Sequence, residues 1–89
     1  MEGNTVIVGR KSAIRYVTAI VTIFNSGSSE VRLRARGRHI SRSVDVVNLL
    51  RGAFLSDVRV KEMRIGTDML MREGRTRPVS FIEIVLSRG

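Results

Sequence analysis

Val31-Arg32-Leu33-Arg34-Ala35-Arg36-Gly37-Arg38-His39-Ile40-Ser41-Arg42-Ser43-Val44-Asp45 changes its period midway. In its first half, Val31, Leu33 and Ala35 alternate with Arg32, Arg34 and Arg36. A period of two marks a strand with one wet or ligand-facing side. In its second half Ser41 reads as a cap, and an apolar stripe follows at Val44, Val47, Leu50 and Phe54, with Arg42, Asp45 and Asn48 outward. That is helical spacing. A strand that feeds a helix within a few residues is the repeating step of an α/β layer structure.

Upstream, the same step occurs once more. Thr5 to Val8 is a short β-branched run closed by Gly9, a buried strand. Ser12 is placed as an N-cap, and Ala13 to Asn25 carries apolar residues at Ala13, Val17, Ile20 and Phe24, flanked by Tyr16 and Ile23. Gly27 stops this helix. Downstream, Ser56-Asp57 is a turn and Val58 to Met71 is extended, its inward phase passing from Val58 and Val60 to Met63 and Ile65. The slip at Lys61-Glu62 predicts a bulge. Val79 to Leu86 is apolar on both phases (Phe81 and Val85; Ile82, Ile84 and Leu86), as in a strand buried on both sides, one of them by a second subunit. Arg72 to Pro78 reads as the flexible tip of a hairpin arm.

The expected order is β-α-β-α-β-β. The first two strands are joined by a right-handed helical crossover and run parallel, and the last two form an antiparallel hairpin. The fold class is α/β two-layer, a four-stranded mixed sheet with two helices on one face and a long arm from the last two strands. Residues 1–89 read as a single domain, with no linker or repeat.

Composition narrows the function. Sixteen Lys and Arg against eight Asp and Glu leave a net charge of +8, with a pI near 11.6. So basic a small domain has the electrostatic footprint of a nucleic-acid binder. There is no cysteine and one histidine, so thiolate metal sites and disulfides are excluded and no metal or cofactor is expected. His39, between Arg38 and Ile40, reads as a helix-entry residue and not as a base, and no carboxylate pair has acid–base spacing, so no catalytic residue is assigned. Gly9-Arg10-Lys11-Ser12 lacks the upstream glycine of a phosphate-binding loop, because Asn4 stands there, and an NTPase is rejected. No apolar run reaches the roughly 20 residues that span a membrane, and no secretory signal is read, so a soluble intracellular protein is expected.

Three basic groups remain. Arg36, Gly37, Arg38 and Arg42 run into the start of the second helix, where an anion would relieve the conflict between cations and the helix dipole. Arg10-Lys11 follows the first strand, and parallel strands end on the same side, so the two groups meet at the carboxyl ends of the strands. Arg72, Arg75 and Arg77 belong to the arm. Tyr16, Phe24 and Phe81 are expected in the core. Without an aromatic stacking platform, contacts should be mainly to phosphate, with weak sequence preference.

These residues carry a resemblance. Ile7-Val8-Gly9-Arg10-Lys11, the Arg34-Ala35-Arg36-Gly37-Arg38-His39-Ile40-Ser41-Arg42 segment, Phe54-Leu55 and the Arg-rich hairpin before Ile82-Glu83-Ile84 together resemble the Alba (Sac10b) family of archaeal chromatin proteins, over nearly the whole chain. The resemblance implies a homodimer, associated with the chromosome in the cytoplasm, that binds double-stranded DNA and also RNA without strong sequence specificity. A paralogous Alba subunit is a further implied partner. It places the central positive surface on Arg10, Lys11, Arg36, Arg38 and Arg42, and the groove-following arm on Arg72, Arg75 and Arg77. It makes Phe54 the contact between dimers along DNA. Where the family commonly has Gly-Lys-Lys, with its first lysine acetylated, this chain has Gly9-Arg10-Lys11. Arg10 cannot take that modification, so Lys11 is the nearby candidate for acetylation. The alternatives are an RNA-dedicated ribonucleoprotein subunit of the same fold, or a protein–protein scaffold.

Overall fold

The computed structural model describes residues 4–89. Its elements are β1 (Thr5–Val8), α1 (Ala13–Asn25), β2 (Glu30–Arg36), a 3-10 turn (Gly37–His39), α2 (Ile40–Ala53), β3 (Val58–Arg72) and β4 (Arg75–Arg88). The sheet order is β1-β2-β4-β3, with β1 and β2 parallel and the other pairings antiparallel. The architecture is the four-stranded mixed sheet with two helices expected from the sequence.

The alternation in β2 sets the core. Val31, Leu33 and Ala35 are buried beside Leu86, Ile84 and Ile82 of β4, and Val6 and Val8 of β1 align with Leu33 and Ala35. Tyr16, Val17, Ile20 and Phe24 of α1 and Val46, Val47 and Leu50 of α2 close over that face. Each fully covered side chain, such as Ile20, Leu33 or Leu50, contributes about 1.5–3 kcal/mol. Ser12 occupies the N-cap position of α1, although its side chain makes no capping bond. Gly27, at φ +105°, ends that helix as expected.

The second helix differs from expectation in start and phase. Ser41 is not its cap. Gly37, at φ +55°, turns the chain into the 3-10 turn, and winding is already helical at Ile40 with His39 in the cap position. The core-facing stripe is Ser43, Val46, Val47 and Leu50, and Val44 is exposed. A stripe drawn by hydrophobicity runs through Val44 because Ser43 is polar by type. Its hydroxyl donates to the Ile40 carbonyl at 2.6 Å, which satisfies the group and lets a small side chain face the core. Phe54 lies past the end of α2 and is 50% exposed, so it does not close the core.

The arm is more regular than a flexible tip. Arg75, Thr76, Arg77 and Pro78 are strand residues, and the turn is only Glu73-Gly74. Both have positive φ, 53° and 75°. That is the two-residue turn whose twist suits a hairpin. Pro78 is tolerated because pairing of β4 with β2 stops at Phe81, leaving one edge of β4 free beyond it. The register shift between Val60 and Glu62 leaves Lys61 as the bulge. The arm projects about 20 Å past the sheet at ~3.4 Å per residue, giving the molecule its 44 Å long axis.

Candidate nucleic-acid interface

Because β1 and β2 are parallel, their carboxyl ends deliver two basic segments to one edge of the molecule. The first, Gly9 to Lys11, is shaped by Tyr16. Its hydroxyl oxygen accepts from the Gly9 N–H at 2.8 Å and from the Lys11 N–H at 3.1 Å. The second segment reaches across to it. Arg42, half-buried in the first turns of α2, donates from Nη1 to the Lys11 carbonyl at 2.6 Å. The backbone of the loop is therefore held from both sides while the side chains of Arg10 and Lys11 stay exposed. Arg36 and Arg38 flank Gly37, whose positive φ aims the chain from the strand into the helix, and both are exposed.

The register of β1 and β2 thus brings the segments Arg10-Lys11 and Arg36-Gly37-Arg38 to one edge of the sheet, with the Arg36 guanidinium turned to Asp68 at 3.0 Å. Arg42 joins them as the tie between the two segments. Arg72, Arg75 and Arg77 lie at the far end of the arm. By register they share the sheet face that carries Arg32, Arg34 and Arg36, opposite the helices. On this open face a set of acids, unread in the sequence, sits among the arginines. Arg34 contacts Asp68 at 2.8 Å and Glu83 at 3.4 Å, Arg36 contacts Asp68 at 3.0 Å, and Arg64 contacts Glu83 at 3.0 Å.

Phe81 is corrected from core to open face. It is half-buried, with the Arg34 guanidinium 4.3 Å from its ring centroid and that of Arg64 at 5.7 Å. The ring lies across Gly66, where a Cβ would come within 2.8 Å of it, so only glycine fits beneath. Phe81 reads as core from sequence because its strand is apolar on both phases. The signal for the acids is the shared phase of Arg64, Gly66 and Asp68 on β3, which becomes informative only once the hairpin register is known.

Burial raises the Glu83 pKa, but the hydrogen bond from Arg64 and the charges of Arg64, Arg32 and Arg34 outweigh it and hold the carboxyl below its usual range. A depressed carboxylate pKa stabilises the fold above the unfolded value, and that contribution is lost as pH falls through the folded one. Stability should therefore hold from neutrality down to about pH 4.3 and decline below it. Glu83→Gln should flatten this decline and cost about 1–2 kcal/mol at pH 7, since two arginines lose their shared negative charge and one of its two acceptor oxygens. Denaturant titrations of both chains across pH check this.

Among the described residues no group of His, Cys, Asp and Glu is arranged to hold a metal ion, and no helix is long and apolar enough to cross a membrane. The Alba family model matches residues 4–67. The chain is 49% identical over 88 residues to DNA/RNA-binding protein Alba 1 of Archaeoglobus fulgidus, covering 99% of each chain. It is 51% identical over 87 residues to DNA/RNA-binding protein Alba of Methanothrix thermoacetophila, covering 98% of each. The structure of Alba from Thermoplasma volcanium superposes with a TM-score of 0.91 at 41% identity, over 96% of this chain and 100% of that one. The structure of ALBA1 from Trypanosoma brucei does so with a TM-score of 0.82 at 28% identity, over 100% and 72%.

Proposed function

The chain belongs to the Alba family, and from that premise we propose that it is an architectural protein that coats double-stranded DNA, and RNA, as a homodimer with little sequence preference. It is a binding protein and not an enzyme, held at the chromosome in the cytoplasm. The observation that carries this reading is the meeting of Arg10 and Lys11 with Arg36 and Arg38 at the ends of two parallel strands. Guanidinium and ammonium groups on a fixed loop bind phosphate, which every duplex presents alike. The arm extends the same chemistry in this reading: Arg72, Arg75 and Arg77 are exposed along it, which supports a role in following the backbone into a groove. Lys11, exposed on the loop, is the candidate for charge-removing acetylation.

Parallel titrations with duplex DNA and duplex RNA over a range of salt test the reading. Affinity for unrelated sequences should fall together and steeply as salt rises. Salt-independent binding, or none, would mean a scaffold. Binding to RNA alone would mean a ribonucleoprotein subunit.

Phe54 is proposed as the contact between neighbouring dimers. Half its surface is open to solvent, and Gly52 and Ala53 beside it give it little cover. Phe54→Ala should change stability by less than about 1 kcal/mol, far from the roughly 3–5 kcal/mol of a core phenylalanine. It should keep affinity for a short duplex and abolish steep saturation on long DNA. A large fall in melting temperature, or unaltered cooperativity, would remove Phe54 from this role.

A further inference from the structure

A recess of about 430 Å³ opens on the sheet face away from the helices, at the carboxyl ends of β1 and β2. Its walls include Ile7, Gly9, Arg34, Arg36 and His39. Two of these residues do not fit a surface built only for phosphate. Ile7 is a large apolar side chain on an edge strand, 64% exposed, which neither core nor arm uses. Arg34 is a cation already answered. Its N–H groups face Asp68 and Glu83, and Phe81 lies against the guanidinium at 4.3 Å. Its side chain is only 24% exposed and lines the recess.

A guanidinium with its charge met by two carboxylates is a poor phosphate ligand. It remains a rigid plane, held in place by an aromatic ring and two ion pairs. Planar guanidinium groups stack on nucleobases, and apolar walls shelter a base from water. Arg36 lines the recess and stays half-exposed although it meets one carboxylate, Asp68, at 3.0 Å, and the exposed Arg10 directly follows the wall residue Gly9, so two cations stand near for the phosphates on either side of a base. A base paired inside a duplex cannot reach this site. A base in a single strand, loop or bulge can.

We propose that this recess is a binding site for one unpaired nucleobase, seated between Ile7 and the plane of Arg34 with its flanking phosphates on Arg36 and Arg10. The proposal deepens the nucleic-acid reading above and rests on it. It gives one protein two modes: the exposed cations grip any duplex, and the recess adds a contact that only unpaired strands can make.

The test uses the full chain and a short single strand in which one adenine is replaced by a fluorescent adenine analogue, beside the same sequence as a duplex. Binding of the unaltered chain to the single strand should change the fluorescence of the analogue, as stacking does. Ile7→Ser removes the apolar wall without changing charge, and Arg34→Lys keeps the charge but loses the plane. Each should abolish most of the fluorescence change and weaken single-strand binding by about fivefold to tenfold, the lower end of the worth of one stacked base. Ile7→Ser should leave duplex affinity unchanged. Fluorescence that stays constant on a strand the protein binds would overturn the proposal while leaving duplex coating intact. So would an equal loss on strand and duplex with Ile7→Ser. Failure to bind either form would overturn both readings together.

Discussion

Arg36→Ala combined with Arg38→Ala is expected to weaken binding to unrelated duplexes by similar factors, at least roughly a hundredfold, and to flatten the salt dependence. In a homodimer the pair removes four guanidinium groups from the central surface. Each phosphate left without its arginine should reduce the slope of log affinity against log salt by about 0.9, so about 3.6 in all. Removing four partly screened charge-assisted hydrogen bonds corresponds to about 3 kcal/mol or more. Arg38 carries the larger share. Arg36 already holds Asp68 at 3.0 Å in the free protein, so its gain on meeting phosphate is reduced by the ion pair it gives up. Both side chains are exposed, and Gly37, whose backbone shapes the turn, is untouched, so the fold should persist. Salt titrations on several unrelated duplexes read the outcome. A loss confined to one sequence would mean that these arginines read bases.

Most of what determines that surface is legible in the chain alone. The β-branched run Thr5 to Val8, the helical spacing of Ala13 to Asn25 and the period two of Val31 to Arg36 make a strand–helix–strand crossover, whose two strands run parallel and so end on one side. The meeting of Arg10-Lys11 with Arg36-Gly37-Arg38 follows from that topology and needs no side-chain detail. The slip at Lys61 is equally local, and the register shift falls there. The misreadings have a common cause. Hydrophobicity stands in for burial, and it does so poorly when a polar side chain satisfies itself or an apolar one is covered by charged stems. Ser43 is fully buried with its hydroxyl bonded, whereas Val44 is exposed. Phe81 sits under arginines on the open face. Asp68 and Glu83 answer Arg34 from β3 and β4, partners 34 and 49 residues away, and no spacing rule connects residues so far apart before the register is known. A dense charge run with a proline resembles a loop, yet two residues of positive φ are enough to turn the arm and leave the rest of it as strand.

Ile65→Asp is expected to split the protein into monomers and to weaken duplex binding far beyond the effect of one added negative charge. The register places Val60, Met63, Ile65, Met69 and Met71 of β3 on the face that the helices cover elsewhere, level with the buried Ile82 and Ile84. The helices of this chain do not reach them. Ile65 is 78% exposed, Met71 75%, Met69 62% and Met63 56%. An apolar stripe of this length on an otherwise basic surface is what a second subunit covers. A two-fold pairing would bury it against its own copy, so each residue counts twice. Unbranched methionines suit such a face because they adapt to whatever they meet. Burying Ile65 in both subunits contributes about 3–6 kcal/mol, and an aspartate there would add the cost of an unpaired buried charge. In the isolated chain the same position is open to water, so the Ile65→Asp monomer should stay folded with its secondary structure unchanged. The loss on DNA follows from linkage: two halves on one body bind as one, and separated halves forfeit an advantage of about 10²–10⁴. Sedimentation at micromolar concentration should show the unaltered protein at twice 10.0 kDa and Ile65→Asp at 10.0 kDa. An unaltered chain that sediments as a monomer, or an Ile65→Asp chain that remains a dimer, would leave the stripe without this role and would require the two arms to act on separate molecules.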